Sequence, residues 1–140
     1  ALYGYNRNTS IIRNDFGYIG DNIVGTWGVT KDYDGTDGQQ PRFTYINENM
    51  VHDIGLYQLQ SSLFFSGKSC QNSLYNNIVY NIPRAAILIN DAFGGGTDII
   101  NNLIFNTCMQ SGDHGPLNSW NRMPFLTDVA YGPGKPSFDN

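Results

Sequence analysis

A short pattern recurs four times along the chain, and it limits the possible folds more than any other feature. In each copy an asparagine is followed by two apolar residues and is preceded, three positions earlier, by another apolar residue. The four asparagines are Asn22, Asn49, Asn77 and Asn102, so the intervals between them are nearly equal. A period of roughly 25–28 residues is typical of stacked structural repeats, which bury their apolar residues against each other.

The residues within each repeat favour strands over helices. Three apolar residues beside a polar corner are too few for a helical face, and β-branched and aromatic side chains prefer extended backbone. Asparagine suits a sharp corner because it tolerates left-handed backbone and bonds nearby peptide groups. We therefore predict an all-β fold, a right-handed parallel β-helix (solenoid) of about four to five coils with stacked asparagines. Leucine-rich repeats and chance recurrence in an asparagine-rich chain are the alternatives.

The repeat also predicts how the chain is divided. Residues 1–140 are expected to form a single β-helix segment of a longer solenoid, with coils anchored at the four asparagines. Two polar, turn-rich stretches, 31–42 and 110–126, are expected to be loops that leave the stack. The residue after each anchor, such as Ile78, is expected inside the coil. A second polar line is expected at Asp53, Asn81 and Asn106, with Thr26 at the equivalent place in the first coil.

Composition excludes some functional classes and suggests a compartment. The net charge is −4, and the eight basic residues are scattered singly, so we predict no nucleic-acid partner. No apolar run approaches the ~18 residues of a membrane span, and no signal peptide is visible. Low charge with abundant Gly, Asn and Tyr favours an extracellular or cell-surface protein. The expected partners are other β-helix coils or protein chains of a larger assembly, with polysaccharide as a further candidate.

Cysteines and acidic residues give weaker indications. Cys70 and Cys108 fall on nearly opposite sides of a coil, which favours two buried thiols, although an oxidising compartment would permit a disulfide. Asp32, Asp34 and Asp37 have the spacing of a calcium loop without its later glutamate, so a solvated loop is favoured. No cofactor and no metal site are predicted, and Ca²⁺ stays the alternative.

Two stretches carry a resemblance to known proteins. They are 83–96 (PRAAILINDAFGGG) and 111–124 (SGDHGPLNSWNRMP), and the second holds the motif GDHGPxNSW. They resemble the right-handed β-helix, pectate-lyase-like proteins found in bacteria, algae and other protists, over roughly residues 72–137. Departures are Ala92 in place of a common Gly, Leu117 in place of an aromatic residue, and Asn121 in place of an Asp. The last departure weakens an acid–base role at that position.

The resemblance implies a β-helix longer than this chain, but it leaves the activity open. The wider superfamily includes polysaccharide lyases, hydrolases and epimerases as well as non-catalytic adhesins and fibre proteins. Fold alone therefore does not determine function.

The stretch 110–126 holds the candidate catalytic residues. In a uronate lyase His114 would be the base, Asp113 would orient its imidazole, and Arg122 would bind the substrate carboxylate. A hydrolase would need two facing carboxylates, for which Asp91 and Asp113 are the candidates. The predicted substrate-binding residues are Trp120, Asn118 and Asp91, with Trp120 stacking on a sugar ring.

A structural role for the same residues is the competing interpretation. Asp113 and His114 would then lock an irregular loop, and Trp120 would pack on the coil flank. Arg84 and Asp91, which flank a predicted strand, are expected to form a salt bridge or turn pair. The first functional hypothesis is a structural or adhesive β-helix segment, glycan-associated or part of a filament. The alternative is a polysaccharide-active enzyme, either a uronate lyase or a glycoside hydrolase.

Overall fold

The computed structural model describes residues 1–31, 37–91 and 95–120, and it builds them from short strands without any helix in those ranges. The ladders between the strands are all parallel. In chain order the strands are β1 (Leu2–Tyr3), β2 (Ser10–Ile12), β3 (Asp15–Gly17), β4 (Val24–Trp27), β5 (Tyr45–Asn47), β6 (Met50–His52), β7 (Phe64–Gly67), β8 (Ser73–Tyr75), β9 (Ile78–Tyr80), β10 (Ile87–Asn90), β11 (Asp98–Ile100), β12 (Leu103–Phe105) and β13 (Leu117–Trp120).

The strands form three sheets that the chain visits in turn. Sheet 1 contains β1, β4, β7, β10 and β13, sheet 2 contains β2, β5, β8 and β11, and sheet 3 contains β3, β6, β9 and β12. Each strand pairs with the one three elements later, so the backbone passes through sheets 2, 3 and 1 once per coil. This topology confirms the predicted parallel β-helix.

The core consists of inward-facing side chains stacked from coil to coil. Ile46 and Leu74 of sheet 2 are paired in register and fully buried, as are Val51 and Val79 of sheet 3. Phe64 of sheet 1 closes the third side of the coil interior. Burying an aliphatic or aromatic side chain of this size stabilises the fold by about 1.5–3 kcal/mol.

A buried asparagine ladder follows the corner between sheets 2 and 3. Asn77 Oδ1 accepts hydrogen bonds from the backbone N–H and the Nδ2 of Asn49, both at 3.0 Å. Asn102 Oδ1 accepts the equivalent pair from Asn77 at 3.0 and 2.8 Å. Since Asn49 and Asn77 are almost fully buried, their amides satisfy each other in place of water.

In the first coil the ladder residue is Asn14, and the prediction of Asn22 is wrong. Asn14 donates from its backbone N–H and Nδ2 to Asn49 Oδ1, 35 positions further along the chain. Asn22 lies before β4, where its Oδ1 accepts bonds from the backbone and hydroxyl of Ser62 at 2.9 Å. The polar stretch 31–42 lengthens the interval from Asn14 to Asn49 to 35 residues, so nearly equal spacing points to Asn22 instead.

The second polar line lies at the other end of sheet 3. Asn81 Nδ2 donates to Asp53 Oδ1, and Asn106 Nδ2 donates to Asn81 Oδ1, each at 3.0 Å. Thr26 does not belong to this line, because it is buried within sheet 1. Since Gly17 pairs with His52, the first-coil position opposite Asp53 is Tyr18.

Ile78 faces outward and is 41% exposed, contrary to the prediction, whereas Val79 is fully buried. The Asn77 side chain occupies the inward position at the corner, so strand alternation turns Ile78 out and Val79 in. The left-handed residue is the one before each anchor and not the anchor itself. These residues are Arg13, Glu48, Asn76 and Asn101, with φ of 59°, 56°, 55° and 56°.

The stretch predicted as loop 110–126 contains strand β13, which pairs with β10 and completes the fourth coil. Leu117 is followed by three residues without an aliphatic side chain, which conceals the apolar alternation in the sequence. Residues 121–126 lie outside the described ranges, as do residues 32–36 of the predicted loop 31–42, including Asp32 and Asp34.

Both cysteines are free, as the sequence favoured: Cys70 is fully buried and Cys108 is half-buried. Burial raises the pKa of the Cys70 thiol to about 11. Among the described residues there is no helix with the length and apolarity needed to cross a bilayer.

Candidate ligand-binding groove

A groove crosses the surface between sheets 3 and 1, and unequal turn lengths create it. The turns that connect sheet 3 to sheet 1 alternate along the stack between short ones, 18–23 and 81–86, and long ones, 53–63 and 106–116. The short turn 81–86 of the third coil therefore lies between two longer turns. The short turn forms the floor of the groove, and the two long turns form its walls.

Two adjoining cavities of about 250 and 310 Å³ occupy the groove. Leu59 and Gln110 line both cavities, so the two are continuous. Ligand pockets usually measure about 300–1,000 Å³, and the combined groove is of that size. The smaller cavity, called here the apolar half, is lined by Asp53, Ile54, Gly55, Leu56, Asn81, Pro83 and Met109. The larger cavity, called here the polar half, is lined by Gln60, Arg84, Ser111, Asp113 and His114.

Backbone bonds fix the walls to the floor. The amide of Gln110 donates to the Pro83 carbonyl at 2.9 Å, and the amide of Cys108 donates to the Arg84 carbonyl at 3.0 Å. On the other side, Gly55 has a φ of +77°, and a Cβ at this position would lie 2.6 Å from Pro83 Cγ. Glycine is required there by both the backbone conformation and the close approach of the floor.

An arginine–histidine pair forms the centre of the polar half. Arg84 Nη2 donates to His114 Nε2 at 2.5 Å. A guanidinium has only donors, so Nε2 must carry the lone pair and Nδ1 the proton. His114 Nδ1 faces the Asp113 carboxylate and lies 2.8 Å from the Ser111 hydroxyl. The imidazole is therefore held on both sides, and it fixes the Arg84 guanidinium in the groove.

Asp113 lies at the solvent edge of this network. The Ser111 hydroxyl donates to its Oδ1 at 3.0 Å. This bond and the adjacent His114 hold the pKa of the Asp113 carboxyl below its usual range. The His114 side chain is only 13% exposed, whereas that of Asp113 is 82% exposed. The network thus places an anion outside, a neutral imidazole beneath it and a cation in the groove.

Two of the predicted site residues, Asp113 and His114, contact each other here. Trp120 and Asn118 lie elsewhere, on the outward face of β13, where Trp120 is 62% exposed. Arg122 lies outside the described residues. Asp91 is buried immediately after β10, where its backbone amide donates to the Trp120 carbonyl at 2.7 Å.

Asp91 and Asp113 lie beyond opposite ends of sheet 1. The strands of the sheet there are four residues long, about 10 Å at a rise of ~3.3 Å per residue. This arrangement does not place the two carboxylates across one glycosidic bond, as a hydrolase requires. In addition, the Nε2 lone pair that a lyase base would use is accepting a hydrogen bond from Arg84.

Arg84 was not predicted as a site residue, although a signal for it exists. Ile87 pairs with Leu117, and Arg84 and His114 each lie three positions before their member of that pair. Equal offsets from paired strands place residues one coil apart on the same line. The β10–β13 register would therefore predict that Arg84 and His114 are neighbours, but the sequence pattern does not reveal this register.

A second titratable cluster lies beside the groove on the outer face of sheet 3. His52 Nδ1 is 2.9 Å from Asp53 Oδ2, and its Nε2 is 3.3 Å from Asp15 Oδ1. The hydrogen bond to Asp53 raises the pKa of His52, and desolvation partly opposes this shift. The imidazole also stacks on Tyr80, with ring centroids 5.2 Å apart. Within the described ranges no three His, Cys, Asp or Glu side chains converge to hold a metal.

Comparison with known proteins gives no assignment: no protein-family model matches the chain, and no curated protein or solved structure matches it significantly. The function must therefore be inferred from the groove itself.

Proposed function

We propose that the chain is an extracellular or cell-surface β-helix scaffold of the pectate-lyase-like type that binds acidic polysaccharide without cleaving it. One observation carries the proposal: His114 positions the Arg84 guanidinium in an open groove. Within the described residues this is the only side-chain hydrogen bond of Arg84, so its remaining donors are available to a ligand carboxylate. A guanidinium binds a carboxylate through two parallel hydrogen bonds.

The surroundings of Arg84 favour a sugar over a small inorganic anion. Gln60 and Gln110 line the same cavity, and in the described part of the chain their side chains form no hydrogen bonds with other groups. Planar amides supply donors and acceptors for ring hydroxyls. A rigid floor and two walls tied to it would hold a short segment of an extended polymer.

The proposed adhesive role does not use His114 as a base. Both of its ring nitrogens are engaged, and Asp113 is the only carboxylate among the described residues that line the polar half. Association with further β-helix coils or with other chains of an assembly stays a prediction, as does stacking of Trp120 on sugar.

Titration calorimetry of the protein with oligouronates, and with a neutral oligosaccharide of equal length, tests the proposal. Arg84→Gln should weaken oligouronate binding roughly tenfold, because it removes a charged hydrogen-bonding partner. Arg13→Gln is the matched control. It removes the same charge from an exposed residue at the distant corner, paired there with Glu48, and should leave the affinity unchanged.

His114→Gln separates binding from catalysis. If the imidazole only positions Arg84, the variant should bind several-fold more weakly, and neither protein should release unsaturated product that absorbs in the ultraviolet. Product formed by the wild type and lost in the variant would establish the lyase alternative. Equal affinity of Arg84→Gln and wild type would refute the binding site.

A further inference from the structure

The apolar half of the groove has a chemistry that an acidic sugar at Arg84 does not explain. Leu56, Leu59 and Met109 are 53%, 49% and 60% exposed and converge on this concave surface above Pro83. Large apolar side chains exposed in a concavity mark a site where apolar ligand surface is buried. Each Å² of apolar area removed from water there is worth about 25 cal/mol.

The charge in the apolar half is opposite to that in the polar half. Asp53 lines the apolar half, and its pKa is lowered by hydrogen bonds from His52 and Asn81, so the carboxylate stays ionised. None of the described residues that line this half is basic. A second carboxylate placed here would meet the like charge of Asp53, whereas the polar half offers Arg84.

The two halves share a border that can hydrogen-bond a linking sugar ring. Gln110 lines both cavities together with Leu59. The amide of Asn81 is already held by one hydrogen bond to Asp53 and one from Asn106, whereas the Gln110 side chain forms none within the described ranges. Gln110 therefore supplies the polar contact at the point where the groove changes character.

We infer that the groove recognises two neighbouring units of unlike substitution: an acidic sugar at Arg84 and, beside it, an uncharged sugar whose O-acyl group enters the apolar half. The ligand class is thus a partly acylated acidic polysaccharide. This inference rests on the proposed function, because it takes Arg84 as the anchor of the acidic unit. It adds to that function a selectivity for an uncharged, acyl-bearing sugar next to the acidic one.

Calorimetry with three oligosaccharides of equal length tests this selectivity. They are a plain oligouronate in which acidic and neutral sugar units alternate, the same oligouronate carrying O-acetyl groups on its neutral units, and a neutral O-acetylated oligomer. The partly acetylated oligouronate should bind about tenfold more tightly than the plain one. Met109→Ser and Leu56→Ser alter exposed side chains of the apolar half, so the variants should fold. They should remove this preference, so that the affinity for the acetylated oligouronate falls to that for the plain one.

The outcomes separate the two proposals. Equal binding of plain and acetylated oligouronates, with both sensitive to Arg84→Gln, would overturn the acyl selectivity and leave the proposed function standing. Loss of all oligouronate binding would overturn the proposed function. If the neutral acetylated oligomer then still bound, with sensitivity to Met109→Ser, the apolar half would remain an acyl site without its acidic anchor.

Discussion

At the residue scale, Asp53 connects the coil stack to the groove. It accepts from Asn81 within the second polar line and from His52 on the outer face of sheet 3, and it also lines the apolar half. Gly17, His52 and Tyr80 occupy equivalent positions on successive strands of sheet 3, and a Cβ on Gly17 would lie 2.5 Å from His52 Cε1. The missing side chain leaves room for the imidazole.

The His52–Asp53 pair predicts a pH dependence of stability. The folded-state pKa of His52 is raised, so its contribution is fully present below the unfolded value of about 6.5 and is lost as pH rises through the folded value. The pKa of Asp53 is lowered, so its contribution is present above about 3.9 and is lost as pH falls through the folded value. The thermal unfolding temperature should therefore be highest between about pH 4 and pH 6.5.

Asp53→Asn tests this assignment, because it removes the largest cause of the His52 shift. An NMR titration of the His52 ring protons should give a lower pKa in the variant than in the wild type. An unchanged titration curve would show that Asp53 does not control the imidazole.

A matched pair of substitutions tests which residues face inward. Val79→Asp places a charge in the coil interior and should cost more than about 4 kcal/mol, enough to prevent folding. Ile78→Asp changes a side chain that is 41% exposed and should cost less than about 1 kcal/mol. Urea unfolding followed by circular dichroism measures the stability of both variants. If Ile78→Asp were the more destabilising change, Ile78 and not Val79 would face the coil interior.

At the element scale, the asparagine ladder is the main polar support of the stack. Asn77 donates to the Ile46 carbonyl at 2.8 Å and to Asn102, and it accepts two bonds from Asn49. Asn77→Ala should therefore destabilise the protein by about 2–4 kcal/mol, because it leaves buried groups unsatisfied. Hydrogen exchange of the Asn49 amide should accelerate in parallel. Asn106→Ala, at an exposed position with one such bond, should cost below about 1 kcal/mol.

Substitution of Gly55 tests how tightly the wall of the groove packs against its floor at Pro83. Gly55→Ala forces a side chain into left-handed backbone and against Pro83, at an expected cost of about 1–3 kcal/mol. Gly25→Ala is the control, since a Cβ there would meet nothing within 4 Å. Denaturant unfolding of both variants measures the difference. Similar stabilities would mean that the wall moves freely relative to the floor.

Elements were predictable from the sequence where side chains alternate, and were missed where they do not. The apolar pattern around Asn49, Asn77 and Asn102 follows directly from a corner of constant length. Strand β13 was hidden because only Leu117 carries an aliphatic inward side chain. The groove depends on the difference in length between turn 81–86 and its neighbours, which has no signature in any single turn.

At the scale of the whole molecule, fold and function were predictable to different degrees. A recurrent unit with β-branched apolar positions favours a stacked coil, because one unit cannot bury those side chains by itself. The binding site could not be predicted without the register between strands of successive coils. Arg84 and His114 are 30 positions apart, and only coil stacking brings them into contact.

Cys70 should report global unfolding of the stack. Its thiol is fully buried, and its pKa of about 11 keeps it protonated at neutral pH. In a Cys108→Ser variant, Cys70 should react with a disulfide reagent at least about a thousandfold more slowly than a free thiol. The rate should rise with urea in step with loss of the circular dichroism signal. Fast labelling in native buffer would show local opening near Cys70.

The corner between sheets 2 and 3 has the same length in every coil, whereas the connections at the other two edges differ widely, from 68–72 to 28–44. Changes in chain length are therefore tolerated at two edges of the prism and forbidden at the third. A short insertion in turn 81–86 would fill the groove and leave the rungs beneath it intact. A chain of this architecture can thus lose a binding cleft through one small insertion in a short turn, without any change to the framework that bears it.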